Sequence, residues 1–125
     1  MENYVGKHWL VDLITLDKFL LEKVDLVQEK ILEVAKKSSL NILKTAFHQF
    51  EPEGVTGILL LTESHLSIHT WPEKNLVTLD LFSCNDDFDF ESFLELLKDT
   101  FKANEINFSE TKRGFTKKTE TNFVR

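Results

Sequence analysis

The sequence predicts an α/β (α+β) fold: a two-layer sandwich of a mainly antiparallel sheet with two helices on one face. Two segments carry apolar residues at helical spacing, and six have the β-branched, aromatic or alternating composition of strands. Their order is β-α-β-β-β-β-α-β. Two amphipathic helices cannot cover both faces of a six-stranded sheet, so one face is left for ligand, polar residues or a second subunit.

Residues 5–15 mix β-branched and aromatic side chains and form the first predicted strand. From Asp25 to about Lys37, Val27, Ile31, Val34 and Ala35 recur at helical spacing, and the polar Lys36-Lys37-Ser38-Ser39 segment closes the helix. Extended segments follow at about 41–50, 55–62, 64–71 and 76–84. The run Ile58-Leu59-Leu60-Leu61 is apolar at every position, which predicts a strand buried on both faces. In 76–84, alternation places Leu76, Thr78, Asp80, Phe82 and Cys84 on one face and Val77, Leu79 and Leu81 on the other. The second helix spans about 89–102, with Phe90, Phe93, Leu94, Leu97 and Phe101 on its stripe and Asp87 or Asp89 as cap. A last strand, about 104–110, precedes a polar tail.

With 125 residues, the chain has room for one domain and one core, and no repeat or linker divides it. Its charge of −6, from 21 acids and 15 bases, argues against a nucleic-acid surface. The exception is the cluster Lys112, Arg113, Lys117, Lys118 and Arg125, which reads as a solvated tail. Cys84 is the single cysteine and forms no internal disulfide. No apolar run approaches a membrane span, and the opening residues lack a long apolar stretch, so the expectation is a cytoplasmic protein away from membranes.

The chemistry concentrates in residues 54–84. A strand runs into Thr62-Glu63-Ser64-His65, the next strand holds two histidines, and the one after ends at Cys84. On alternation His65, Ser67, His69 and Trp71 share one face, and Ser64, Leu66, Ile68 and Thr70 the other. Polar residues at strand ends are ordinarily just solvated or hydrogen-bonded. A metal site from His65, His69 and Cys84 is a second reading, but residues four apart on a strand are separated by about 13 Å, too far to chelate one ion. Nucleophilic catalysis by Ser64 or Cys84 with a histidine base is a third. The strand–turn–helix elbow of common serine hydrolases is missing around Ser64, so ordinary hydrolase chemistry fits poorly.

The string Glu63-Ser64-His65-Leu66-Ser67-Ile68-His69-Thr70-Trp71-Pro72-Glu73 resembles the signature of the bacterial-type S-adenosylmethionine decarboxylase proenzymes. The likeness extends to Gly6-Lys7-His8, Phe47-His48-Gln49-Phe50, Gly54-Val55-Thr56-Gly57, Asp80-Leu81-Phe82-Ser83-Cys84 and Arg113-Gly114. It implies self-cleavage between Glu63 and Ser64. The Ser64 hydroxyl attacks the Glu63 carbonyl, and elimination then leaves a pyruvoyl group, with a β-chain of residues 1–63 and an α-chain of 64–125. By the same resemblance His69 is the base for elimination, and Thr56 stands where the family usually has a processing serine. The pyruvoyl carbonyl takes the substrate amine as a Schiff base and acts as electron sink, doing what a pyridoxal cofactor does elsewhere. Cys84 then matches the acid that reprotonates carbon.

For substrate, the resemblance implies S-adenosylmethionine, its adenine stacked on Phe50 and its ribose bound by Glu73; the product supplies the aminopropyl donor for spermidine synthesis. It further implies a homodimer of cleaved protomers; the spacing of the histidines leaves no metal expected. Four departures stand out. Lys74-Asn75-Leu76 replaces an aromatic-glycine-aromatic stretch, Asn85 a glycine, Gln49 an arginine and Trp9 a leucine. Lost aromatics near Glu73 leave a basic amino acid, arginine or ornithine, as an alternative substrate. An inactive paralogue serving as partner subunit is a third reading, opposed by intact Ser64, His69 and Cys84.

Overall fold

Alternation along each strand sorts the side chains of the sheet into a helix-covered face and an open one. The computed structural model describes residues 3–116. Its elements are β1 (Gly6–Thr15), α1 (Val24–Lys37), β2 (Ile42–Gln49), β3 (Val55–Leu61), β4 (Ser64–Trp71), β5 (Leu76–Ser83), α2 (Phe90–Thr100) and β6 (Ala103–Arg113). All six strands pair antiparallel in the order β2-β3-β4-β5-β1-β6. The expected sandwich, with two helices against one sheet, is the fold observed.

The covered face supplies Trp9, Val11 and Leu13 from β1, Leu59 from β3, Leu66 and Ile68 from β4, and Val77, Leu79 and Leu81 from β5. They pack with Val27, Ile31 and Val34 of α1 and Phe93 and Leu97 of α2 in one core. Burial of each such side chain is worth about 1.5–3 kcal/mol. Trp9 stacks on Phe90 at 4.6 Å between ring centres, and its indole N–H donates to Glu110 Oε1 at 2.9 Å. A tryptophan in place of leucine is thereby absorbed by the sheet–helix interface.

The helix ends show two further departures to be structural. Lys23 offers no side-chain cap to α1. Instead Gln49 reaches across from β2: its Oε1 accepts from Val24 N at 2.6 Å, and its Nε2 donates to Glu22 O and Gly54 O, each at 3.0 Å. In the turn between β4 and β5, Asn75 adopts a left-handed φ of 52°, a conformation otherwise favouring glycine. Of the two candidate caps for α2, Asp89 serves, accepting from Ser92 N at 3.1 Å.

Two expectations are corrected. The strand at Ile58–Leu61 is buried on one side only: Leu59 and Leu61 face the helices, while Ile58 and Leu60 are 40% and 47% exposed on the open face. Its apolar residues on both faces reflect an uncovered apolar surface, to which Leu10 at 50% exposure also contributes. Second, Lys112 and Arg113 are not tail. β6 continues past residue 110, and Arg113 pairs with Gly6 of β1. Lys117, Lys118 and Arg125 lie outside the described residues. Among the described residues no helix is long and apolar enough to cross a membrane.

Candidate active site

β3 and β4 form a hairpin whose last paired residues are Leu61 and Ser64, so Thr62 and Glu63 alone make the turn. Two-residue hairpins usually need positive φ in the turn to match strand twist. Neither Thr62 nor Glu63 has it, so the turn is of an unprimed type. Both residues are exposed, and Ser64 is half-buried. The Glu63–Ser64 peptide therefore sits at the end of the ladder, where the turn meets β4. Scission there would leave β3 and β4 held by the sheet, since β3 also pairs with β2 and β4 with β5.

The β4–β5 register pairs His65 with Phe82. Continued one and two steps, it sets Ser64 beside Ser83 and Glu63 beside Cys84. The thiol of Cys84, one residue past β5, is free and exposed. Ser64 borders a cavity of about 270 Å³ with Glu63, Ser83 and Asn85. Asn85 replaces a glycine without closing this end: its side chain turns back to accept from Asp87 N at 3.0 Å.

At the other end of the same strands, Thr56 Oγ1 and His69 Nδ1 lie within hydrogen-bonding distance at 3.1 Å. They border a second cavity, of about 360 Å³, together with Phe50, Trp71 and Glu73. Phe50 is half-exposed and meets His48 edge-on at 4.6 Å between ring centres. The residues expected to work together thus fall into two groups. Ser64, Glu63 and Cys84 gather at one end of β4, and Thr56, His69, Phe50 and Glu73 at the other. Ser64 and His69 are five residues apart on one strand, about 16 Å at about 3.3 Å per residue. One copy of the chain does not bring them into contact.

A third cluster lay outside the sequence expectations. On the open face, near Ser64, the Asp80 carboxylate takes His8 Nε2 at 2.6 Å and His65 Nε2 at 3.1 Å on one oxygen, and the Ser67 hydroxyl on the other. Burial pushes the Asp80 carboxyl up, but the hydrogen bonds from Ser67, His8 and His65 outweigh it and hold the group below the ordinary aspartate range. Arg113 Nη1 lies 3.1 Å from His8 Nδ1, and its guanidinium sits over the Phe82 ring. Alternation had placed His65 with Ser67, and Asp80 with Phe82, on common faces. The β4–β5 pairing, which sets Ser67 against Asp80 and His65 against Phe82, makes these faces coincide, and the β1–β5 pairing, which joins His8 to Phe82, adds His8.

Comparison with known proteins agrees with this architecture. The family described as S-adenosylmethionine decarboxylase matches residues 7–114. The S-adenosylmethionine decarboxylase proenzyme of Pyrococcus abyssi is 35% identical over 117 residues, covering 94% of this chain and 84% of that protein. The proenzyme of Thermotoga petrophila is 37% identical over 110 residues, covering 88% and 85%. Among solved structures, the adenosylmethionine decarboxylase of Aquifex aeolicus superposes with a TM-score of 0.83 at 29% identity, covering 94% of this chain and 97% of that one. A monomer of the Trypanosoma brucei enzyme, at 13% identity and a TM-score of 0.60, shares the fold over 82% of this chain and only 44% of its own length. With a family match across nearly the whole sheet and relatives above 30% identity over most of their length, the chain belongs to the S-adenosylmethionine decarboxylase family.

Proposed function

We propose that this chain is a self-processing, pyruvoyl-dependent lyase that decarboxylates S-adenosylmethionine in the cytoplasm and supplies the aminopropyl donor for spermidine synthesis. The carrying observation is the Glu63–Ser64 peptide at the end of an exposed two-residue turn, with firmly paired strands on either side. A pyruvoyl group made from Ser64 fits this position: the serine is the first residue of β4, and the cut would leave it anchored as a new chain start within the sheet. Such a group supplies an electrophilic carbonyl that holds the substrate amine and accepts the electron pair freed with carbon dioxide.

The surrounding residues divide the remaining work. In processing, the Ser64 hydroxyl attacks the Glu63 carbonyl, the Thr56 hydroxyl assists, and His69 takes the Cα proton of Ser64. In turnover, Cys84, beside the hairpin tip, returns a proton to the substrate carbon. Phe50 offers a flat, half-exposed ring to adenine, and Glu73 an exposed carboxylate to the ribose hydroxyls.

The separation of Ser64 from His69 supports a homodimer. In a twofold pair that meets across the open sheet faces, the Ser64 end of one copy lies against the Thr56–His69 end of the other, giving two equivalent composite sites. The exposed Ile58, Leu60 and Leu10 supply the apolar surface for such contact.

Intact mass and substrate turnover test this reading. Two fragments are expected, residues 1–63 and a pyruvoyl-capped chain ending at 125, with carbon dioxide released from S-adenosylmethionine and not from arginine or ornithine. A chain that stays uncut on prolonged incubation would sink it, and release from a basic amino acid would change the substrate.

A further inference from the structure

The two imidazoles on Asp80 Oδ2 are not equivalent. An ionised carboxylate only accepts hydrogen bonds, so His8 Nε2 and His65 Nε2 must each carry a hydrogen. Arg113 Nη1 only donates, so His8 Nδ1, 3.1 Å away, must present a lone pair. Both nitrogens of His8 are thereby committed. The Nδ1 of His65 has no hydrogen-bond partner among the described residues. A shared cation is the rival reading, because ligand atoms of His8, His65 and Asp80 lie within 4.8 Å of one another. Arg113 opposes it: with Nδ1 accepting from the guanidinium, His8 carries its hydrogen on Nε2 and has no lone pair there for a metal.

His65 directly follows Ser64, their Cα atoms about 3.8 Å apart across the peptide bond, and the two side chains leave the strand on opposite faces, that of His65 on the open one. Its ring is held by Asp80 with Nδ1 open, at the end of the sheet that carries both Ser64 and Cys84. We propose that Asp80 is a positioning residue that fixes His65 in the Nε2–H tautomer, and that His65 Nδ1 takes the proton from the substrate's α-ammonium. This rests on the pyruvoyl reading of Ser64. In the step, one N–H bond of the ammonium breaks and its electron pair stays on nitrogen, making the amine nucleophilic. The proton forms a new bond to Nδ1, and the resulting imidazolium keeps its Nε2–H on Asp80, whose charge offsets the new one.

The test joins a spectrum to kinetics. In protein labelled with ¹⁵N-histidine, with the His65 signals assigned by their loss in His65→Gln, neutral His65 should show a protonated Nε2 and a bare Nδ1. Asp80→Asn keeps the shape but can donate to Nε2, so the hydrogen should move to Nδ1. Measured on the cleaved fraction, kcat should fall about 100-fold in both variants, with KM within about twofold. His65→Gln leaves the Asp80–His8 contact in place, so its loss of kcat with the His8 signals unmoved excludes collapse of the cluster as the cause. A wild-type His65 protonated on Nδ1, or kcat unchanged in either variant, overturns this inference alone. Absence of a pyruvoyl-capped fragment in the wild type overturns the functional reading and the proton transfer with it.

Discussion

The Thr56 hydroxyl lies 3.1 Å from His69 Nδ1, and both stand at the end of β4 farthest from Ser64. The pair is arranged as a hydroxyl–imidazole couple, yet the peptide it would help to process is about 16 Å away along the strand. Strand geometry makes this separation unavoidable within one copy, because neither residue can leave a ladder paired on both sides. The proposed composite site between two copies would resolve the conflict.

Co-expression should therefore rescue two defective chains. Ser64→Ala cannot be cut, and His69→Ala lacks the base, so each alone should remain a single chain by intact mass. Expressed together, the mixture should show cleavage, and the fragments should carry the His69→Ala substitution. Wild-type cleavage of His69→Ala on its own would remove the histidine from processing and with it the need for a second copy.

Cys84 should separate the two halves of the chemistry. Its thiol lies beside the hairpin tip and takes no step in the proposed processing reaction, so Cys84→Ser should still self-cleave. Turnover should fall about 100-fold, since an alcohol is a far weaker proton donor than a thiol at the carbon left after decarboxylation. Mass spectrometry reads the first outcome and carbon dioxide release the second. Equal loss of both would place the thiol in processing.

The elements were legible because period-2 and period-3.6 patterns survive in nearly every segment; β6 was the weak case. Its residues are polar and mostly exposed, so no alternation announced that it runs on to Arg113. Ile58 and Leu60 misled in the opposite sense: they are as apolar as core residues, yet the single chain leaves them exposed. The candidate site residues come from local sequence, but their division into two ends could not be read there. It depends on which strands neighbour one another. The same holds for His8 and Asp80, 72 positions apart and joined only because β1 inserts between β5 and β6.

Gln49 makes a stability prediction that leaves the chemistry alone. Gln49→Ala removes the acceptor for the first backbone N–H of α1 and the donor that ties Glu22 O to Gly54 O. Loss of a helix cap costs about 1–2 kcal/mol, and chemical denaturation should show it. Gln49→Glu keeps the acceptor but turns a carboxylate oxygen toward the carbonyls of Glu22, Phe50 and Gly54, so it should not restore the stability. No change in Gln49→Ala would mean water replaces the amide at no cost.

Asp80 makes a prediction about acid. Burial pushes its carboxyl up, yet hydrogen bonds from Ser67, His8 and His65 leave it below the ordinary value. A carboxyl depressed in the folded state stabilises the fold above its unfolded pKa, about 3.9. That contribution is lost as pH falls from there through the folded value. Wild-type stability should therefore drop as pH falls below about 4 by more than that of Asp80→Asn, which has no proton to gain there. Parallel curves for the two proteins, from melting temperatures across that range, would show that the carboxylate contributes nothing to acid stability.

The open face carries the last prediction. Ile58 and Leu60 point away from the helices, and with Leu10 they form an apolar patch that costs solubility unless something covers it. If the cover is a second copy, Ile58→Glu with Leu60→Glu places charges in the contact. Neither side chain belongs to the core of one copy, so the fold should persist, with an unchanged far-ultraviolet spectrum. The sedimentation mass should fall from dimer to monomer, and self-cleavage should fail although Ser64, Thr56 and His69 are all present. That combination, a folded and chemically intact chain that no longer cuts itself, follows only if the second copy completes the site. A monomer that cleaves at the wild-type rate would show instead that each chain moves His69 to Ser64 on its own.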